Sequence, residues 1–209
     1  MAAIADFLPH VLPYVRGCSF PLAELHVRNV CIDFCANAPI VQANIDPFDA
    51  LAGCAEYDID TPYGTETTLI LGAWFEGRHL AILKTGDRDS SGFESATGAP
   101  TGLQQAAGNT FRLDIAPAVN SVKAITMRVA TKPTRNAGAV ADVLLNDYAY
   151  EIGQGVVARL MKIPGFHFSD PGNAGAYEAV YLLARNSARI RAMQSFGTAP
   201  TRIKPRRFA

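Results

Sequence analysis

The segment Thr67-Thr-Leu-Ile-Leu-Gly-Ala-Trp-Phe75, with Glu76-Gly77 and Arg78-His-Leu-Ala-Ile-Leu83 behind it, decides how the chain is divided. The first run is β-branched and aromatic, the residue types that suit a pleated, half-buried surface. The Glu76-Gly77 pair is a two-residue hairpin turn, so the spacing predicts two strands side by side. Working outward, Glu56 to Ile59 alternates and stops at Asp60-Thr-Pro-Tyr-Gly64. Phe111, Leu113 and Ile115 alternate with Arg112 and Asp114, and Val122 to Val129 reads as a last strand. Thr85 to Gly108, rich in Gly, Ser, Asp and Thr, reads as a long exposed loop. Five or so strands at hairpin spacing predict a small antiparallel β-sandwich or barrel over residues 40–132.

On both sides of this stretch the apolar period is helical. Pro21 opens a helix, because proline's missing N–H costs nothing in the first turn. Val27, Val30, Cys31, Phe34 and Cys35 follow its apolar stripe, Arg28 and Asp33 fall outside it, and Ala38-Pro39 ends it. Ala3 to Leu8 reads as a short helix stopped by Pro9. After the link Lys132-Pro-Thr-Arg-Asn-Ala-Gly138, the positions Val140, Leu144, Tyr148, Ile152, Val156 and Leu160 recur every fourth residue. Asp170-Pro171 is an N-cap followed by a proline at the first helical position. Tyr177, Val180, Tyr181, Ala184 and Ala188 mark one face of the helix that follows, and Arg185, Arg189 and Arg191 lie toward its C-terminal end. The predicted class is α+β: a helical bundle made of residues 1–39 and 133–196, an inserted β-domain over 40–132, and an extended basic arm over 197–209.

Composition narrows the function. Of 209 residues, 49% are hydrophobic and 18% charged, which is globular, and the formal net charge is zero. No overall field therefore draws the chain to nucleic acid or membrane. The neutrality hides an asymmetry: residues 133–209 hold ten Lys/Arg against five Asp/Glu, and residues 1–132 hold nine against fourteen. Charge separated in this way suits a subunit that meets different neighbours at its two ends. Cys18, Cys31, Cys35 and Cys54 form no disulfide framework, and Cys31 and Cys35 read as small buried hydrophobes. The start carries no secretory signal and no window is long enough to span a membrane, so a soluble protein made in a cytoplasm is expected.

Chemistry has little support in the motifs. Gly153-Gln-Gly155-Val-Val-Ala158 has the spacing of a dinucleotide-binding turn but sits inside a helix instead of between a strand and a helix, so no cofactor is expected. Mid-helix glycines cost about 1 kcal/mol each against alanine. Close approach of a neighbour offsets that cost, and Gly153 and Gly155 are assigned to a helix–helix or subunit contact. Asp87-Arg-Asp89-Ser-Ser91-Gly92 resembles half of a calcium loop, but Gly98 stands where the bidentate Glu belongs. No metal and no catalytic residue is expected. The basic arm carries more: Arg202, Lys204, Arg206 and Arg207 are spaced by Ile203 and Pro205, and Phe208 is an apolar anchor. Such an arm lies in a groove against acidic groups or phosphates, or it is a solubilising tail.

Asp6-Phe-Leu-Pro-His-Val-Leu-Pro-Tyr-Val-Arg-Gly-Cys18, running through Pro21 to Val30-Cys-Ile-Asp-Phe-Cys35, resembles the opening of head-to-tail adaptor proteins of short-tailed bacteriophages, with Arg16 and Ser19 departing from the pattern. Glu56-Tyr-Asp-Ile59 with Phe75-Glu-Gly77 is similar to the insert of that family, and Thr131-Lys-Pro-Thr-Arg135, with Gly155 and Arg159-Leu160, to its return into the helical body. The resemblance implies a virion structural protein without enzymatic activity. It implies a dodecameric ring between portal protein and tail nozzle protein, lining the channel through which DNA is ejected. It places Arg202, Ile203, Lys204, Pro205, Arg206, Arg207 and Phe208 on the portal and turns the β-domain toward tail spikes, fibres or neighbouring subunits. The alternative is a nucleic-acid-binding module that uses the basic arm with Arg185, Arg189 and Arg191.

Overall fold

The computed structural model describes residues 1–84 and 97–194. It has three α-helices, α1 (Phe20–Asn37), α2 (Asp142–Met161) and α3 (Pro171–Met193), and a 3-10 helix over Ile4–His10. The strands in chain order are β1 (Ala2–Ala3), β2 (Gln42–Ala50), β3 (Glu56–Asp58), β4 (Thr65–Phe75), β5 (Arg78–His79) and β6 (Ala81–Ile82), then β7 (Thr97–Gly98), β8 (Gly102–Ala107), β9 (Thr110–Leu113), β10 (Ala116–Pro117), β11 (Ser121–Pro133) and β12 (Ala139–Val140).

Burial falls into two apolar clusters. One joins Ile4, Phe7 and Val11 to Val27, Val30 and Phe34 of α1, to Leu144, Ile152, Val156 and Leu160 of α2, and to Tyr181 and Ala188 of α3. Each helix offers residues three and four apart, so one stripe of each points at the others. The second cluster gathers Ile45, Ile70, Phe75, Leu103, Phe111, Ile125 and Val129 from the strands. The chain enters and leaves the strand region at one place. Ala130 of β11 stands opposite Gln42 of β2, and the Thr131 amide donates to the Val41 carbonyl at 2.9 Å. Arg28 Nε of α1 donates to the Ala137 carbonyl at 2.9 Å, which ties the return segment to the helices.

The small antiparallel sandwich or barrel expected for 40–132 does not form. The fold is α+β with mixed, open sheets. One four-stranded sheet has the order β2-β11-β4-β5 and is antiparallel throughout. The other, β3-β9-β8-β6, is mixed, because β6 runs parallel to β8 with Ala81 opposite Gly102. β7 and β10 form a further parallel pair. Period-two alternation fixes which face of a strand is buried but carries no information on the direction of its neighbour.

The hairpin at Glu76-Gly77 shows how the direction is lost. Both residues have positive φ, 47° and 79°, the geometry of a type I′ turn that glycine adopts readily and glutamate only under constraint. The expected strand Arg78 to Leu83 is then broken at Leu80. Its amide donates to the Ala73 carbonyl at 2.9 Å, its side chain is fully buried, and the chain passes from one sheet to the other. Two further expectations are corrected. β2 carries Asp46, Pro47 and Asp49, which suit an edge strand and hide it from a propensity reading. Within the supposed loop Thr85 to Gly108, β8 is a regular strand; residues 85–96, with Asp87 and Asp89, lie outside the described residues.

Candidate assembly surfaces

Three helices meet at one carboxylate. Asp33 lies off the apolar stripe of α1, and its Oδ2 accepts from the Tyr181 hydroxyl at 2.5 Å and from Arg185 Nη1 at 3.0 Å, both on α3. Arg159 Nη2 of α2 lies 3.2 Å from the same oxygen. The guanidinium of Arg185 also stands over the Tyr181 ring, 5.7 Å from its centre. Burial first, and then the hydrogen bond to Asp33, push the Tyr181 phenol far above its ordinary range, so it remains a donor. One anion shared by two cations and a phenol fixes the relative positions of all three helices. Its chemistry is that of a positioning element, partly open to solvent at Arg159 and Asp33.

The two glycines of α2 are contact points within the same body. A Cβ on Gly153 would fall 2.8 Å from the His10 carbonyl oxygen, and one on Gly155 would fall 2.7 Å from Cδ2 of the Tyr181 ring. Both neighbours belong to this chain, to the 3-10 helix and to α3, and the missing side chains are what let those elements approach.

The Cys31 thiol is pushed up to about 12 by burial, and Cys35 is raised further by burial and by Cys31. Among the described residues, no group of three or more His, Cys, Asp or Glu side chains is placed to hold a metal, and no helix is long and apolar enough to cross a membrane.

Exposed apolar side chains of the described residues include two groups that bear on contact. The first is α3. Val180, which the periodicity groups with Tyr177 and Tyr181, lies instead on the exposed side with Leu183, Ile190 and Met193, the last three 71%, 58% and 63% exposed. A groove of about 380 Å³ runs along this side between α2 and α3, floored by Val180 and Leu183 and bounded by Glu151 and Arg191. The second is a loop cluster at one end of the strands, where Leu51, Val119 and Val122 are exposed. Hydrogen bonds hold those loops: the Ala52 amide to Asn120 Oδ1 at 2.7 Å, the Ser121 hydroxyl to Glu76 Oε1 at 2.8 Å, and the Lys123 amide to Asp49 Oδ1 at 2.7 Å. Lys123 itself sits at φ 52°, a backbone state maintained by these partners. The arm residues Arg202, Ile203, Lys204, Pro205, Arg206, Arg207 and Phe208 lie outside the described residues.

No protein-family model matches the chain, and no curated protein matches it at a significant level.

The outward side of α3 was legible in principle. Ala176, Val180, Leu183, Ser187 and Ile190 alternate four and three apart, but the stronger stripe through Tyr181 and Ala188 masks them. Asp33 gives no sequence signal beyond being an acid one position off the apolar stripe of α1.

Proposed function

We propose that this chain is a non-enzymatic structural protein of a short-tailed bacteriophage, a head-to-tail adaptor. In this reading twelve copies form a ring that joins portal to tail nozzle and lines the DNA channel, in the host cytoplasm during assembly and then in the virion. The supporting observation is the division of labour within the chain. Asp33, Arg159, Tyr181 and Arg185 form a half-buried polar cluster that braces three helices, while apolar surface is left outward on α3 and on the braced tip that carries Leu51, Val119 and Val122. A part built to meet neighbours spends its buried polar groups on rigidity and its exposed apolar groups on contact. A ring multiplies each weak contact through effective concentration.

The arm is tested by deletion. A chain lacking residues 201–209 is expected to keep its circular dichroism spectrum and thermal transition and to lose co-sedimentation with portal. Unaltered co-sedimentation of the truncated chain refutes the role given to Arg202 through Phe208. The nucleic-acid reading loses one of its cations, because Arg185 is bound to Asp33. A salt titration against duplex DNA separates the readings, since phosphate contacts weaken steeply as salt rises.

A further inference from the structure

β4 has a second apolar side. Ile70, Ala73 and Phe75 belong to the core of the strand region, whereas Leu69, Leu71 and Trp74 do not. A groove of about 400 Å³ opens over these three side chains, and the end of α3, at Ala192 and Met193, lines it as well. Leu69 and Met193 continue into a second hollow of about 230 Å³ beside the end of α1. Both of these side chains are exposed. An apolar hollow of this kind marks a place of contact.

Trp74 is held in place as one wall. A Cβ on Gly72 would fall 3.0 Å from Cη2 of its ring, so the missing side chain lets the indole lie back over the strand. His79 meets the indole edge-on, with ring centres 5.8 Å apart and planes at 81°. The polar lining is selective. Arg128 and His79 line the groove and Arg189 lines the hollow beside it, and among the described residues no carboxylate lines either. A cationic segment is disfavoured there, and an uncharged one is not.

The chain itself supplies an uncharged segment at this spot. α3 ends on the groove at Met193, and Ser195-Phe-Gly-Thr-Ala-Pro-Thr201 follows without a charge, before the cations that begin at Arg202. Phe196 is three residues beyond Met193, so even a fully extended backbone keeps it within about 11 Å of that wall. One further helical turn would make it the neighbour of Ala192 and Met193, four and three positions back.

We propose that Phe196 fills this groove in the same molecule, packed among Leu69, Leu71, Trp74 and Met193, and so anchors the root of the C-terminal segment on the outer side of the sheet. Tethering makes this possible: a contact too weak to hold a separate peptide suffices when its residue is three positions from the groove wall. The cations from Arg202 onward stay clear, because Arg128 and Arg189 disfavour them. The docking goes beyond the adaptor reading and does not rest on it.

Trp74 is the one tryptophan of the chain, so its fluorescence reports on the groove directly. Emission spectra and acrylamide quenching are compared for the full chain, for Phe196→Ala, and for deletions of residues 195–209 and of 201–209, with circular dichroism to check that each is folded. Phe196→Ala and the longer deletion are expected to move the emission to longer wavelength and to steepen the quenching, by similar amounts. The shorter deletion is expected to match the full chain, and dilution of the full chain is expected to change nothing. Equal quenching in the full chain and Phe196→Ala overturns the proposal and leaves the groove to a foreign partner. Exposure of Trp74 by the shorter deletion overturns it in favour of the basic stretch, and exposure on dilution overturns it in favour of a second copy. Portal co-sedimentation of the chain lacking 201–209 is a separate readout, so either reading can fail alone.

Discussion

The Tyr181 hydroxyl donates to Asp33 Oδ2 across 148 residues of sequence, and the same oxygen accepts from Arg185 one turn further along α3. The residues between them include every strand of the two four-stranded sheets. This carboxylate therefore adds a polar tie to the apolar cluster that closes the helical body over the intervening β region.

Removing the carboxylate leaves two guanidinium groups and a phenol without their acceptor in a half-buried place. Asp33→Ala is expected to lower stability by about 1–3 kcal/mol, since orphaned polar groups cost that much each and the partial exposure of Asp33 moderates the sum. Tyr181→Phe, which removes one donor and leaves the anion paired, is expected to cost about 1 kcal/mol. Urea unfolding measures both, and a double-mutant cycle of Asp33→Ala with Arg185→Ala should return a coupling of about 0.5–3 kcal/mol. Additive effects would mean that the cluster is incidental to closure.

At Gly155 a new methyl group meets the Tyr181 ring, and at Gly153 it meets the backbone of His10. Alanine gains about 1 kcal/mol of helix propensity over glycine. Overpacking costs about 1–3 kcal/mol where the neighbour is held. Backbone yields less than a ring edge, so Gly153→Ala is expected to be the more damaging of the two, and each should lower the melting temperature. A higher melting temperature in either variant would show that the glycines are not contact points.

Much of the helical body can be read from the chain. Leu144, Tyr148, Ile152, Val156 and Leu160 are buried at the spacing that marks them, and Asp170 caps α3 by accepting from the Asn173 amide at 3.1 Å. Local rules decide those features, so local sequence reveals them. The β region follows non-local rules. β2 is concealed because Pro47 and two aspartates are the signature of an edge, which in isolation looks like a loop. The parallel β6–β8 pair depends on a chain switch at Leu80, and a buried leucine does not announce which sheet it serves. Asp33 is invisible for a related reason: its three partners come from α2 and α3, and one sequence supplies no cue that they converge.

His26 on α1 is half-buried, its Nδ1 has no hydrogen-bond partner among the described residues, and burial and then the nearby Arg159 lower its pKa below the ordinary 6.5. Below that value the unfolded chain takes up a proton that the folded chain refuses, so the unfolded state gains. The contribution of neutral His26 is present above pH 6.5 and is lost as the pH falls from there toward the lowered folded value. Stability measured between pH 7.5 and 5.5 should decline, and His26→Gln should flatten the part of the decline centred on the histidine range. An identical pH profile in the variant would remove His26 from the account.

Thiol chemistry gives an independent reading of the helical core. A thiolate is the reactive form, and burial holds Cys31 near 12 and Cys35 higher, with Cys18 also raised. Cys54, by contrast, is only half-buried, on a loop of the β region. Alkylation of the native protein followed by peptide mass analysis should therefore modify Cys54 first and Cys18 slowly. Cys31 and Cys35 should react only when α1 separates from α2 and α3. Their rate then reports opening of the Asp33 cluster, so Asp33→Ala should accelerate Cys31 and Cys35 without changing Cys54. Equal acceleration at all sites would mean that the whole chain loosens together and that the carboxylate does not govern the helical body specifically.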